Sequence, residues 1–138
     1  MSDRLLNILL VEDDDVDVMN VRRSFTKNNI ANPLFVAGNG IEALELLRGD
    51  KIPSERRIVL LDLNMPKMNG IEFLRALRAD TELASTPVVV LTTSNDERDR
   101  VEAYNLNVAG YLLKPVTFTG FCEVMAALNK YWTLVEMP

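Results

Sequence analysis

The chain has 138 residues, 48% apolar and 25% charged, with a formal net charge of -5 and no histidine. That length makes one ordinary domain over 1–138, able to bury about 68% of its unfolded surface around a single core. The acidic balance removes the electrostatic basis of nucleic-acid binding, the missing histidine excludes Ser-His triads and histidine-bound zinc, and the single Cys122 excludes an internal disulfide or a thiolate cluster.

No apolar run approaches the roughly 18 residues of a membrane span. Positions 1–11 lack the build of a signal peptide, since their short apolar core is broken by Asn7 and followed directly by acids. The expected compartment is therefore the cytoplasm. Short apolar runs then alternate with amphipathic stretches, the pattern of βα units and a mostly parallel sheet.

The first strand is expected at 7–11, running into Glu12-Asp13-Asp14-Asp15, and the helix after it shows Val18, Val21 and Phe25 at helical spacing. A second strand at 34–36 follows the turn signal Asn32-Pro33, and its helix carries Ile41, Leu44 and Leu47. After a long loop, 50–57, the third strand at 58–61 ends in Asp62-Leu63-Asn64, and Ile71, Leu74 and Leu77 mark the third helix. The fourth strand at 88–91 ends in Thr92-Thr93-Ser94, ahead of a weakly patterned helix at 96–105. The fifth strand, 109–113, ends in Lys114-Pro115. The last helix bears Phe118, Phe121, Cys122, Met125, Leu128, Trp132 and Val135 behind Thr117 as N-cap, so it is expected to extend over 129–138. Most of these strands are continuous Val, Ile and Leu, as strands covered on both faces should be.

In an open parallel sheet, ligands bind outside the carboxyl ends of the strands, where strand order reverses. Acids at two adjacent strand ends repel unless a cation lies between them, and oxygen ligands without His or Cys suit Mg²⁺. Lys114 and the Thr92 hydroxyl are able to meet phosphoryl oxygens there. Each residue alone has a plainer explanation. Glu12 to Asp15 can be helix N-terminal acids favoured by the dipole, Asp62 a loop residue, and Thr92 and Lys114 structural or solvated side chains. Their joint arrival at four strand ends favours a site.

Four segments together resemble the receiver domains of response regulators: Leu10-Val11-Glu12-Asp13-Asp14, Leu61-Asp62-Leu63-Asn64-Met65-Pro66-Lys67-Met68-Asn69-Gly70, Leu91-Thr92-Thr93 and Gly110-Tyr111-Leu112-Leu113-Lys114-Pro115. The resemblance implies an α/β, doubly wound, flavodoxin-like fold with a five-stranded parallel sheet in the order 2-1-3-4-5. It implies that Asp62 takes a phosphoryl group from a histidine kinase, that Glu12, Asp13, Asp62 and the backbone carbonyl of Asn64 ligand Mg²⁺, and that Thr92 and Lys114 hold phosphoryl oxygens. Tyr111 would turn inward as Thr92 moves, although a strand aromatic packed on the sheet explains it equally. The Lys114–Pro115 bond is expected to be cis. Thr93 stands where many members have Ala or Gly, and its bulk is expected to hinder the attacking water.

The tail from Lys130 to Pro138 and the loop at 50–57 are similar to those of stand-alone response regulators paired with cyanobacterial or bacterial phytochromes. Tyr131 and Trp132 are candidate homodimer anchors, or else they close the core beneath the last helix. A phosphatase or phosphotransferase of a related fold would resemble this chain less, because such enzymes carry a second Asp where Asn64 stands, and they need a substrate cap. Nor does an acidic first loop suit flavin or nucleotide phosphates. Without histidine the chain holds no phosphohistidine donor of its own, so a kinase must dock, by resemblance against the first helix. Output is expected through protein contact: a downstream phosphotransfer protein, the kinase itself, or a second copy, with no nucleic-acid or membrane partner and no turnover beyond self-catalysed phosphoryl transfer and autodephosphorylation.

Overall fold

Five Val-, Ile- and Leu-rich runs form the strands, and the periodic stretches between them form the helices. In the computed structural model these are β1 (Asn7–Val11), α1 (Asp15–Lys27), β2 (Leu34–Ala37), α2 (Gly40–Arg48), β3 (Arg57–Leu61), α3 (Gly70–Ala79), β4 (Val88–Thr92), α4 (Glu97–Asn105), β5 (Gly110–Leu113) and α5 (Phe118–Leu134). Residues 5–136 and 138 are described; Met1 to Arg4 and Met137 of the tail lie outside the described residues. All strand pairs are parallel, in the order β2-β1-β3-β4-β5, as expected. β1 thus lies between β2 and β3, and the order reverses between the ends of β1 and β3, where ligands of such sheets bind.

The two-residue period of a strand sends alternate side chains to opposite faces. Leu9, Val11, Val59, Leu61 and Val90 pack against Leu44 and Leu47 of α2 and Phe73, Leu74 and Leu77 of α3. Ile8, Leu10, Ile58, Leu60 and Val89 pack against Val21 and Phe25 of α1 and Phe121, Met125 and Leu128 of α5. Burial is complete along β1, β3 and β4, whereas the edge strands β2 and β5 are only half-buried. That layering makes the three central strands a rigid platform for the residues at their carboxyl ends.

Helix starts are fixed by side chains. Asp14 caps α1 by accepting from the Val16 and Asp17 amides, Asn69 and Glu72 form a reciprocal capping box at α3, and Thr117 caps α5 as expected. The Arg78 guanidinium donates to the carbonyls of Leu106, Ala84, Thr86 and Asn107, tying the end of α3 to the loops that enter β4 and β5.

The structure departs from the helical stripes of the sequence in three places. Ile41 is 46% exposed: the inward face of α2 starts at Gly40 and continues through Ala43, Leu44 and Leu47. Cys122 is only half-buried, since α5 turns Phe121 and Met125 to the sheet. The last helix stops at Leu134 instead of continuing through the tail, because Val135 turns extended and the chain crosses to where the Pro138 carbonyl accepts the Arg56 amide at 3.3 Å. Trp132 is 3% exposed and packs its ring 6.3 Å from that of Phe25, so it closes the core between α1 and α5, and Tyr131, 40% exposed, is the surface aromatic of the pair.

Candidate functional site

The hydrogen-bond ladder runs past the ends of the strands. The Glu12 amide donates to the Ala37 carbonyl, Asp62 to Val11 and Lys114 to Thr92, at 2.9, 3.0 and 2.8 Å. The residues directly after β1, β3 and β5 are therefore held as firmly as the sheet itself, and Thr92 ends β4. Glu12, Asp62 and Thr92 are buried, and the Lys114 side chain is 6% exposed.

Asp62 stands at the centre. Its Oδ1 accepts from the Thr92 hydroxyl at 2.7 Å and from the Asn64 amide at 3.3 Å, and its Oδ2 lies 3.3 Å from the Lys114 ammonium. Lys114 Nζ also donates to Glu12 Oε1 at 2.7 Å and to Asp17 Oδ2 at 2.9 Å. The Asp14 amide fixes the other Glu12 oxygen at 3.1 Å. Carboxylate oxygens of Glu12, Asp13 and Asp62 come within 4.8 Å of one another, with Asp13 open to solvent and the other two buried. Asn64 sits two residues beyond Asp62 on the same loop, its side-chain amide 3.4 Å from the Thr93 hydroxyl.

Burial pushes the Glu12 carboxyl up, the Lys114 hydrogen bond opposes this, and the charge of Asp62 adds to it, leaving Glu12 at about 7. Burial works against the Lys114 ammonium, but the hydrogen bonds it donates to Glu12 and Asp17 and the charges of Glu12 and Asp62 outweigh it and hold the lysine above its ordinary range. One ammonium thus serves three carboxylates. The surplus negative charge, the all-oxygen donor set and the close trio fit a hard divalent cation such as Mg²⁺, which Glu12, Asp13 and Asp62 would hold.

Thr92 also links the site to the surface. Its hydroxyl oxygen accepts from the Ser94 amide at 3.2 Å, and the Ser94 carbonyl accepts from the half-buried Tyr111 hydroxyl at 2.9 Å. Burial raises the Tyr111 phenol, while its bond to Ser94 opposes the rise. The Ser94 side chain in turn donates to Asp99 of α4 at 2.7 Å. All the candidate residues named from the sequence other than the tail aromatics Tyr131 and Trp132 and the proline therefore lie at one end of the sheet. Asp17 and Ser94 were missed. The signal for Asp17 was that five acids occupy positions 12–17, more than the cap of α1 uses. The expected cis geometry is not borne out: Lys114–Pro115 is trans, the form prolyl bonds favour by about 0.5–1 kcal/mol, and from it Lys114 reaches all three carboxylates.

The response regulator receiver domain model matches residues 8–126. The probable methanogenesis regulatory protein FilR2 of Methanothrix harundinacea is 36% identical over 91% of this chain and 82% of its own length. Response regulator Rcp1 of Synechocystis sp. is 34% identical over 91% of this chain and 87% of its own, and an Rcp1 structure in a Mn²⁺-bound form superposes with a TM-score of 0.83 at 32% identity, covering 96% of this chain and 99% of that one. The phosphorylated cyanobacterial phytochrome response regulator RcpA superposes with a TM-score of 0.87 at 29% identity, covering 98% of this chain and 99% of that one. The chain belongs to the receiver domain family of the two-component response regulators, phosphoacceptor switch proteins whose relatives here include those of phytochromes.

Proposed function

We propose that Asp62 is the phosphoacceptor of a Mg²⁺-dependent switch, fed by a histidine kinase linked to a phytochrome and read out by protein contact. The observation that carries this is the buried Asp62 carboxylate, held between the Thr92 hydroxyl and the Lys114 ammonium beside Glu12 and Asp13. A carboxylate oxygen of Asp62 attacks the donor phosphorus, the phosphorus–nitrogen bond breaks as the new phosphorus–oxygen bond forms, and the product is an acyl phosphate. Mg²⁺, when bound, offsets charge on the transferring phosphoryl group. Lys114 turns a donor from Asp62 to a phosphoryl oxygen, and the Thr92 hydroxyl follows. Because Thr92 and Tyr111 share Ser94, that shift carries to α4 and β5. The phytochrome link rests on the likeness to Rcp1 and RcpA.

On this account 1–138 acts as one cytoplasmic receiver unit with no turnover beyond its own phosphorylation and dephosphorylation, and it signals to a phosphotransfer protein or through a homodimer in which Tyr131 is the exposed anchor. Intact-mass measurement after incubation with acetyl phosphate and Mg²⁺ tests the proposal. Wild type should gain one phosphoryl group and Asp62→Asn none. Equal labelling of the two proteins would remove Asp62 from its role.

A further inference from the structure

Lys114 has three N–H donors and three carboxylate partners, and these partners are not equivalent. Glu12 and Asp62 belong to the trio whose oxygens converge within 4.8 Å, whereas Asp17 does not. Asp17 lies in the first turn of α1, where Asp14 Oδ1 accepts its amide at 3.2 Å, and it holds Lys114 Nζ at 2.9 Å with 20% of its own side chain exposed. Glu12 and Asp62, if they held a divalent cation, would turn their oxygens to it, and its charge would repel a neighbouring ammonium. Asp17 is then the one partner that still offsets the lysine charge.

We propose that Asp17 is a positioning residue that keeps the Lys114 ammonium beside Asp62 while metal and phosphoryl group are present, a role that rests on the phosphoacceptor function above. In wild type the donor freed from Glu12 remains near Asp62 because Asp17 anchors the other side of the ammonium. Without that anchor the lysine moves away from the cation, and the phosphoryl oxygens lose a charged donor as negative charge redistributes in the transition state.

The test is the rate of labelling by acetyl phosphate, followed by intact mass at increasing Mg²⁺, for wild type, Asp17→Asn, Lys114→Met and the double variant. Asp17→Asn should slow labelling about fivefold at saturating Mg²⁺, the scale of the net worth of one ordinary hydrogen bond. Added to Lys114→Met, it should change the rate by less than about twofold, because its effect passes through the lysine. Slowing that excess Mg²⁺ abolishes would assign Asp17 to the metal instead. Equal slowing with and without Lys114, or none in either background, would likewise overturn the proposal. Failure of wild type to label under any Mg²⁺ would overturn the phosphoacceptor function itself, whereas wild type and Asp17→Asn labelling at one rate removes only the role of Asp17.

Discussion

The Thr92 hydroxyl donates to Asp62 Oδ1 across 2.7 Å, and Thr92 Oγ1 accepts from the amides of Ser94 at 3.2 Å and Leu63 at 3.4 Å. One buried hydroxyl therefore fixes the Asp62 carboxylate, the backbone after β3 and the start of the segment that holds Tyr111. Thr92→Ala removes these three hydrogen bonds, leaving Asp62 Oδ1 to the Asn64 amide at 3.3 Å, and should cost about 1–3 kcal/mol of folding stability. Denaturant unfolding measures this, and Thr92→Ser should recover most of it. An alanine variant as stable as wild type would show that the hydroxyl does not organise the site.

Thr93 is exposed, and its hydroxyl accepts from Asn64 at 3.4 Å beside Asp62. On the proposed function, the pair would narrow the approach of water to an acyl phosphate on that residue. Thr93→Ala should therefore lose its phosphoryl group about threefold faster, a barrier change of roughly 0.6 kcal/mol. The decay of phosphorylated protein after donor removal gives the rate, and decay no faster than wild type would sink this role.

Gly70 starts α3 against the backbone that carries Asp62. A Cβ there would stand 2.6 Å from the Asp62 carbonyl oxygen and 2.7 Å from Leu63 Cα, both main-chain atoms with little freedom to yield. Gly70→Ala should destabilise the fold by about 1–3 kcal/mol, the range for overpacking, and slow labelling of Asp62 as well. Thermal unfolding and the acetyl phosphate assay read the two effects separately.

The sheet was legible in the sequence because its strands are nearly pure Val, Ile and Leu, and the expected spans fall within one residue of β1 to β5 at each end. The strand-end residues followed from that, since a parallel sheet delivers Glu12, Asp62, Thr92 and Lys114 to one edge. What stayed hidden depended on contacts distant in sequence. Asp17 is 97 residues from Lys114, so an acid in the first turn of α1 could not be told from one that merely favours the helix dipole. Spacing alone also left Trp132 open, since a helix stripe does not say whether its last aromatic meets the same chain or another. The end of α5 depended on Val135 and on a backbone contact to Arg56 that no local propensity records.

The burial of Trp132 sets its own expectation. Its ring packs on Phe25 and its indole Nε1 donates to Asn129 at 2.9 Å. Trp132→Ala should lower stability by about 3–5 kcal/mol through the cavity left between α1 and α5. Tyr131→Ala should leave stability nearly unchanged and weaken any dimer seen by sedimentation. Loss of a dimer in Trp132→Ala with no loss of stability would reverse these assignments.

The most direct test of the central claim is the position of the covalent phosphoryl group. Phosphorylated protein reduced with borohydride converts an acyl phosphate to the corresponding alcohol, which peptide mass mapping then locates. Homoserine at position 62 alone, formed only when Mg²⁺ is present, is the expected result. Reduction at Asp13 or any other acid, or labelling of Asp62 that persists with a chelator, would contradict the account.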